Sequence, residues 1–406
     1  MNKKLDIISN SLKAHFEITG SKSESNRMLI LQKLFDSISI SNLSESDDSK
    51  LMQAALSSNQ EEVYIGHAGT AMRFLTSYFA VCDGRDTLLT GSSRMKQRPI
   101  GLLVDALRDL GADIQYAENE GFPPLRIKGK KLQGGQIEID GSVSSQYVSS
   151  LLLVAGSLTE GLNIKFLGKV TSVPYIKMTL ALLTEIDVKW SWKNNVIQVF
   201  PREKSSKEYP LIVESDWSSA SYHYSMAALA KEARISIKSY KKESLQGDSA
   251  LKEIYKDFGV RSHFDGVELF LNKSIDAEIK KHVEYDLSNC PDIAQTIAVT
   301  CFGLGISCNL YGLHTLKIKE TDRLVALQNE LSKFGASIEI TEKSLHLKPS
   351  STIAKDVDVA TYEDHRMAMA FAPLCLKTNL NILEAEVVSK SYPTFWKDWD
   401  VYRQNT

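Results

Sequence analysis

The sequence predicts an α/β repeat protein, and three observations carry that prediction. An amphipathic helix, a small turn and a short strand recur as LVDALRDLGADIQY, MTLALLTEIDVKW, LKEIYKDFGVRSHF and LQNELSKFGASIEI, with turn positions at Gly111, Glu185, Gly259 and Gly335, spaced 74, 74 and 76 residues apart. Six polar loops open apolar helices: GSKSESNRMLIL, GHAGTAMRFLTSYF, GSVSSQYVSSLLLVA, SDWSSASYHYSMAALA, NCPDIAQTIAVTCFG and EDHRMAMAFAPLCL. Short runs rich in Val, Ile and Leu (EVYIG, TLLTG, LRIKG, QIEIDG, LNIKFLG, VIQVF, LIVES, VELFLN, LHLKP, LNILEA) alternate with these helices. The chain has 406 residues, which at roughly 150 per domain gives two or three domains. Dividing six units into two sets of three puts a boundary near Leu211 to Ser215.

Each element has a local reason. Glycine at three of the four turn positions suits a helix C-cap in the left-handed conformation. The polar loops place Ser, Thr or Asp at helix N-caps and leave backbone N–H groups at the positive end of the helix dipole. Several such ends converging on one cleft would bind an anion.

Composition narrows the function. Apolar residues make up 43% and charged residues 24%, as in a soluble globular protein. Forty-eight basic residues against fifty acidic ones leave a net charge of -2, so no overall field draws the chain to nucleic acid or an anionic membrane. Any bound anion must be met by local cations. Cys82, Cys290, Cys301, Cys308 and Cys375 form no CxxC pair and no metal-type spacing; expected in apolar helices, they read as core, and a reducing cytoplasm is expected. The opening MNKKLDIISN has no apolar h-region, and no stretch reaches about 18 apolar residues, so neither signal peptide nor membrane span is expected.

Five segments carry candidate chemistry. Gly20 to Arg27 packs two cations and three hydroxyls before a helix, without the GxxxxGK[ST] of a Walker loop. Arg94, Lys96 and Arg98 precede Pro99, expected at the first helical position, with Ile100, Leu103, Val104 and Leu107 as the buried stripe behind them. Lys317, Lys319, Glu320, Asp322 and Arg323 open another helix, on which residues 319 and 323 would share a face. Asp292 follows Pro291, and His365 and Arg366 stand at the polar entrance of a Met- and Ala-rich helix. Each also fits a capped, solvated helix start; Asp292 in particular reads as an N-terminal capping carboxylate. Their recurrence favours anion binding.

In register, GSKSESNR, GHAGTAMR, RMKQRPIG, SSQY, PYIKMTL, SSASY, PDIAQTIA, KIKETDRL and EDHRMAM resemble the 5-enolpyruvylshikimate-3-phosphate (EPSP) synthase family, over residues 20 to about 395. The resemblance implies a two-domain inverted α/β barrel, each domain built from three βαβαββ repeats. Residues 21–213 would form one domain and residues 1–20 with 214–406 the other, with the active site in the cleft between them. It implies transfer of the carboxyvinyl group of phosphoenolpyruvate to the 5-hydroxyl of shikimate 3-phosphate, in a cytoplasmic monomer using no metal or organic cofactor.

Carried over by position, Ser23, Arg27, Ser144, Ser145, Gln146, Ser172 and Lys319 would meet shikimate 3-phosphate. Gly69, Arg98, Arg323, Arg366 and Lys390 would meet phosphoenolpyruvate, with Lys22 and Gln146 shared. Asp292 would be the base on the hydroxyl, Glu320 the acid toward the methylene carbon, and Lys22 and Lys390 would stabilise departing phosphate. His67, Phe74, Val173 and Thr315 depart from the family pattern. The sister enzymes acting on UDP-N-acetylglucosamine generally carry a cysteine in the loop that here reads SSRMKQRP, and an asparagine at Ser23, so the resemblance favours shikimate.

Overall fold

The helices behind the polar loops are apolar on every side because they are buried on every side. In helix Gly69–Val81 only Thr70 and Val81 escape full burial, and in Ala294–Leu304 only Leu304 does. The hydroxyls they carry inward are paired between helices, as burial requires. Ser77 meets Ser150 at 2.6 Å, Ser221 meets Thr296 at 3.1 Å and Ser225 meets Thr300 at 2.8 Å.

The computed structural model describes residues 1–142, 144–168, 170–171 and 173–404. The chain forms two units with separate hydrophobic cores: residues 20–213, and a split unit of residues 1–19 with 214–406. Four sheets share one topology, βαβαββ, in which the first two strands are parallel and the last two form an antiparallel hairpin whose second strand pairs with the second parallel strand; three each come from one continuous run, and the one led by Ser11–Glu17 has residues 20–213 inserted after its first strand. In the 20–213 unit these are the sheets led by Glu62–Tyr64 and by Gly135–Asp140. In the split unit they are led by Ser11–Glu17 and by His282–Asp286.

The expected third repeat of each unit departs from the rule. In the 20–213 unit it keeps two strands, Ile38–Ser41 parallel to Tyr209–Ile212. In the split unit it keeps three, Val357–Val359 parallel to Leu380–Ile382, with Lys3–Leu5 antiparallel to the latter. These are the repeats where each unit's segment begins and ends, so the strands come from both ends of the segment rather than from one continuous run.

The recurrent turns share one cap. Ala112, Val188, Val260 and Ala336 each donate a backbone N–H to the carbonyl five residues earlier, and the residue before each has a positive φ. This is the Schellman arrangement. Its left-handed residues are Gly111, Gly259 and Gly335, but in the second of the four turns it is Asp187 (φ 61°), not Glu185, which still belongs to the helix. The 187 position tolerates a side chain because its carboxylate is held by the Tyr209 hydroxyl at 2.8 Å and by Lys207.

Three smaller expectations also shift. Pro99 precedes its helix, which begins at Gly101, while the expected stripe of Ile100, Leu103, Val104 and Leu107 is fully buried. Helix Arg323–Lys333 starts with Asp322 as N-cap, so Lys319 and Glu320 lie on the loop before it and share no helix face with Arg323. Cys308 is buried in a strand rather than a helix, and Cys82 is only partly buried. Among the described residues no helix is long and apolar enough to cross a membrane.

No atom lies within 4 Å of a Cβ built on Gly335, whose φ is +96°. Gly335→Ala should therefore lose about 1–2 kcal/mol through backbone strain alone, read as a lower urea midpoint with an unchanged slope. An unchanged midpoint would mean the cap can be rebuilt without a left-handed residue.

Candidate active site

In the split unit, three helix entrances are tied together by charge. Arg323 is only 2% exposed and donates from Nε to Asp364 Oδ2 (2.6 Å), from Nη1 to Asp292 Oδ1 (2.9 Å) and from Nη2 to Glu320 Oε2 (2.9 Å). Asp292 also meets Lys319 Nζ at 3.2 Å and Arg366 Nη2 at 3.2 Å. Glu320 accepts from Lys390 Nζ at 2.7 Å. Asp364 caps its own helix by accepting the backbone N–H of Arg366 at 2.9 Å. Asp292 follows a proline in the turn Pro291–Ile293, yet its oxygens serve three cations from two other segments, and among the described residues it makes no capping hydrogen bond.

The 20–213 unit gathers three further helix entrances. Lys22, the first residue of helix Lys22–Leu34, pairs with buried Asp48 at 3.1 Å. Arg27 donates to Thr179 Oγ1 (2.8 Å), to the Ser23 carbonyl (2.6 Å) and to Ser149 Oγ (3.0 Å), with its guanidinium 5.2 Å from the Phe74 ring centre. Gln146 bonds Thr70 at 3.3 Å, joining the entrances of helices Gly69–Val81 and Ser145–Ala155. Ser144 is the N-cap of the latter and accepts from the backbone of Gln146. Arg98 lies directly over Gly69: a Cβ built there would be 2.5 Å from Nη1. The carbonyl of Pro99, next in the chain, accepts from Arg73 at 3.0 Å and from the Tyr147 hydroxyl at 2.6 Å, which fixes the basic loop to its helices.

A family model described as EPSP synthase (3-phosphoshikimate 1-carboxyvinyltransferase) matches residues 56–399. A 3-phosphoshikimate 1-carboxyvinyltransferase from Bacteroides fragilis is 43% identical over 399 residues, covering 95% of this chain and 94% of its own length.

This chain belongs to the EPSP synthase family.

The enzyme of that name from Haemophilus influenzae is 36% identical, with 94% and 95% of the two chains covered. Among solved structures, EPSP synthase from Acinetobacter baumannii matches with a TM-score of 0.78 at 21% identity, covering 98% of both chains. The enolpyruvyl transferase NikO from Streptomyces tendae matches with a TM-score of 0.74 at 12% identity over 98% and 97%. At those identities the likeness is one of fold.

Within this EPSP synthase chain, the structure groups Asp292, Lys319, Glu320, Arg323, Arg366 and Lys390 in the split unit. Lys22, Ser23 and Arg27 share one helix, Gly69 and Arg98 touch, and Ser144, Ser145 and Gln146 open another helix. Ser172 lies outside the described residues. Arg27 is 2% exposed and turned inward, its guanidinium held by the Ser23 and Tyr175 carbonyls and by Thr179 and Ser149. Of the departures, Phe74 packs against Arg27, His67 Nδ1 lies 2.8 Å from Ser92 Oγ, and the Thr315 hydroxyl is buried.

Sequence reasoning missed Asp48, Arg73, Ser218 and Asp248 altogether, and gave Asp364 no role. Asp364 had a signal, an acid directly before two basic residues at a helix start. The others had none, because their partners are 26 to 148 residues away.

Burial opposes ionisation of Asp292, but Lys319, Arg366 and Arg323 overcome it and hold the carboxyl well below the usual aspartate range. Asp248 goes the other way: burial first, then the Asp292 charge, push it up to about 6. The folded state then keeps a proton that the unfolded chain releases near pH 4, so this group's contribution to stability falls as pH rises from about 4 to about 6. Asp248→Asn should accordingly raise stability by about 1–3 kcal/mol at pH 7.5 and by much less near pH 4, read from urea midpoints at the two pH values. An equal gain at both would show that the carboxyl does not titrate in this window.

Proposed function

We propose that this enzyme transfers the carboxyvinyl group of phosphoenolpyruvate to the 5-hydroxyl of shikimate 3-phosphate, releasing phosphate, with Asp292 and Glu320 as its two acid–base groups. The observation that carries the residue assignment is the Arg323 cluster, in which both carboxylates are held by cations suited to bind the substrates' anionic groups.

Shikimate 3-phosphate is assigned to Ser23, Ser144, Ser145, Gln146, Ser172 and Lys319, with Arg27 supporting Ser23 from behind. Phosphoenolpyruvate is assigned to Gly69, Arg98, Arg323, Arg366 and Lys390, and Lys22 and Gln146 serve both. Substrate anions compete with Asp292 and Glu320 for Lys319, Arg323, Arg366 and Lys390. Each cation drawn away removes an influence that lowers the Asp292 pKa, so substrate binding makes Asp292 a stronger base.

In the addition step the 5-hydroxyl gives its proton to Asp292 as its oxygen bonds to C2 of phosphoenolpyruvate, and C3 takes a proton from Glu320. Lys390 Nζ, 2.7 Å from Glu320 Oε1, steadies the carboxylate that this leaves behind. In the elimination step the bond from C2 to the phosphate oxygen breaks as that oxygen takes the proton held by Asp292, a proton returns from C3 to Glu320, and the vinyl double bond re-forms. Lys22 and Lys390 stabilise the charge gathering on the departing phosphate.

The test is phosphate release by purified protein, which should require both substrates together; release with phosphoenolpyruvate alone would overturn the reading. Asp292→Asn and Glu320→Gln should each lower kcat by about 10²-fold while shikimate 3-phosphate still binds. A near-normal kcat in either variant removes that residue from its role. Gly69→Ala should displace Arg98 and raise the KM for phosphoenolpyruvate about tenfold, leaving that for shikimate 3-phosphate within about twofold. The opposite pattern would place Gly69 and Arg98 at the other substrate.

A further inference from the structure

Beyond the cation cluster, one carboxylate of the split unit remains without a task. Asp248 is 3% exposed, and its Oδ1 is buried with no hydrogen-bond partner among the described residues. Its Oδ2 accepts a short hydrogen bond from the Ser218 hydroxyl. Ser218 Oγ in turn accepts from Arg366 Nη2 at 3.2 Å, the same nitrogen that reaches Asp292 Oδ2 at 3.2 Å. An Asp–Ser–Arg chain and Asp292 therefore share one corner of the guanidinium, Nη2.

The repeat explains why a carboxylate stands there. In the 20–213 unit, helix Lys22–Leu34 is followed by strand Ile38–Ser41 and then by helix Asp47–Ser57, whose second residue, Asp48, reaches back to Lys22 in the first turn of the first helix. In the split unit, helix Trp217–Leu229 is followed by strand Glu232–Lys238 and then by the short helix Gly247–Ala250, whose second residue, Asp248, reaches back to Ser218 in the first turn of the first helix. The same place in the repeat thus carries an acid in both units. In one it holds a lysine directly; in the other a serine intervenes and the cation is Arg366.

We propose that Asp248, acting through Ser218, is a positioning residue that sets the orientation of Arg366 toward the carboxylate of phosphoenolpyruvate. Once the substrate draws Arg366 away from Asp292, the chain through Ser218 is what still fixes the guanidinium plane. A planar donor fork that must meet a carboxylate is sensitive to small rotations. This inference rests on the assignment of Arg366 to phosphoenolpyruvate made above.

The experiment is steady-state kinetics on wild type, Ser218→Ala, Asp248→Ala and the double variant, with each substrate varied in turn. Both single variants should raise the KM for phosphoenolpyruvate about tenfold and leave that for shikimate 3-phosphate within about twofold. A purely structural lesion would lower the active fraction, hence kcat, without separating the two KM values. Because the two residues act in series, the double variant should be no worse than Asp248→Ala alone. An unchanged KM for phosphoenolpyruvate in both single variants, or effects that multiply in the double one, overturns the proposal while leaving the enzyme's function intact. Absence of phosphate release by wild type itself would instead overturn the functional reading. If Asp248→Ala does not fold, Ser218→Ala alone decides, by the same shift or its absence.

Discussion

Arg323 is a cation with almost no access to water, and the carboxylate cluster of the split unit exists in the form that satisfies it. Three carboxylates arrive from three segments: Asp292 from the turn before one buried helix, Glu320 from the loop before Arg323's own helix, and Asp364 from the cap of another. A buried ion of this kind tolerates the loss of one partner poorly, at roughly 3–5 kcal/mol for a broken buried pair. The guanidinium therefore fixes where the two proposed proton carriers stand. Their separation and direction are by-products of neutralising one arginine.

The 20–213 unit handles its buried arginines differently. Arg27 and Arg73 hydrogen-bond hydroxyl and carbonyl oxygens, neutral acceptors that satisfy donors without cancelling charge. Burial lowers both to about 10, so both stay protonated at neutral pH. One unit thus surrounds its central arginine with carboxylates, while the other leaves positive potential beneath helix entrances that already favour anions. The contrast suits a reaction in which one group of residues moves protons and another holds phosphate.

Much of this was legible in the sequence because it is local. The six loop-to-helix entrances, the caps at Gly111, Gly259 and Gly335, and the strands between them are written in consecutive residues. The second cap failed by two positions because Asp187 does what glycine does elsewhere, with Tyr209 and Lys207 as support from the end of the unit. Asp48 and Asp248 were illegible for a related reason. Each is an ordinary acid near a helix start, and what distinguishes it is a partner brought near by the fold. The i, i+4 spacing of Lys319 and Arg323 suggests a shared helix face, but Asp322, as N-cap, starts the helix only at Arg323 and leaves Lys319 on the loop.

The third repeat of the split unit joins strand Lys3–Leu5 to Leu380–Ile382, and strand Ser11–Glu17 pairs with Glu232–Lys238. The other unit is one uninterrupted stretch of chain, residues 20–213. On the ribosome these two facts impose an order. The uninterrupted unit has every strand it needs once residue 213 has emerged, whereas the first seventeen residues have no partner until the chain beyond 232 appears, and strand Lys3–Leu5 waits for residue 380. Until the chain beyond 232 appears, strand Ser11–Glu17 is an unpaired edge, and its alternation of buried and exposed polar positions (SLKAHFE) keeps a polar residue at every second place while it waits.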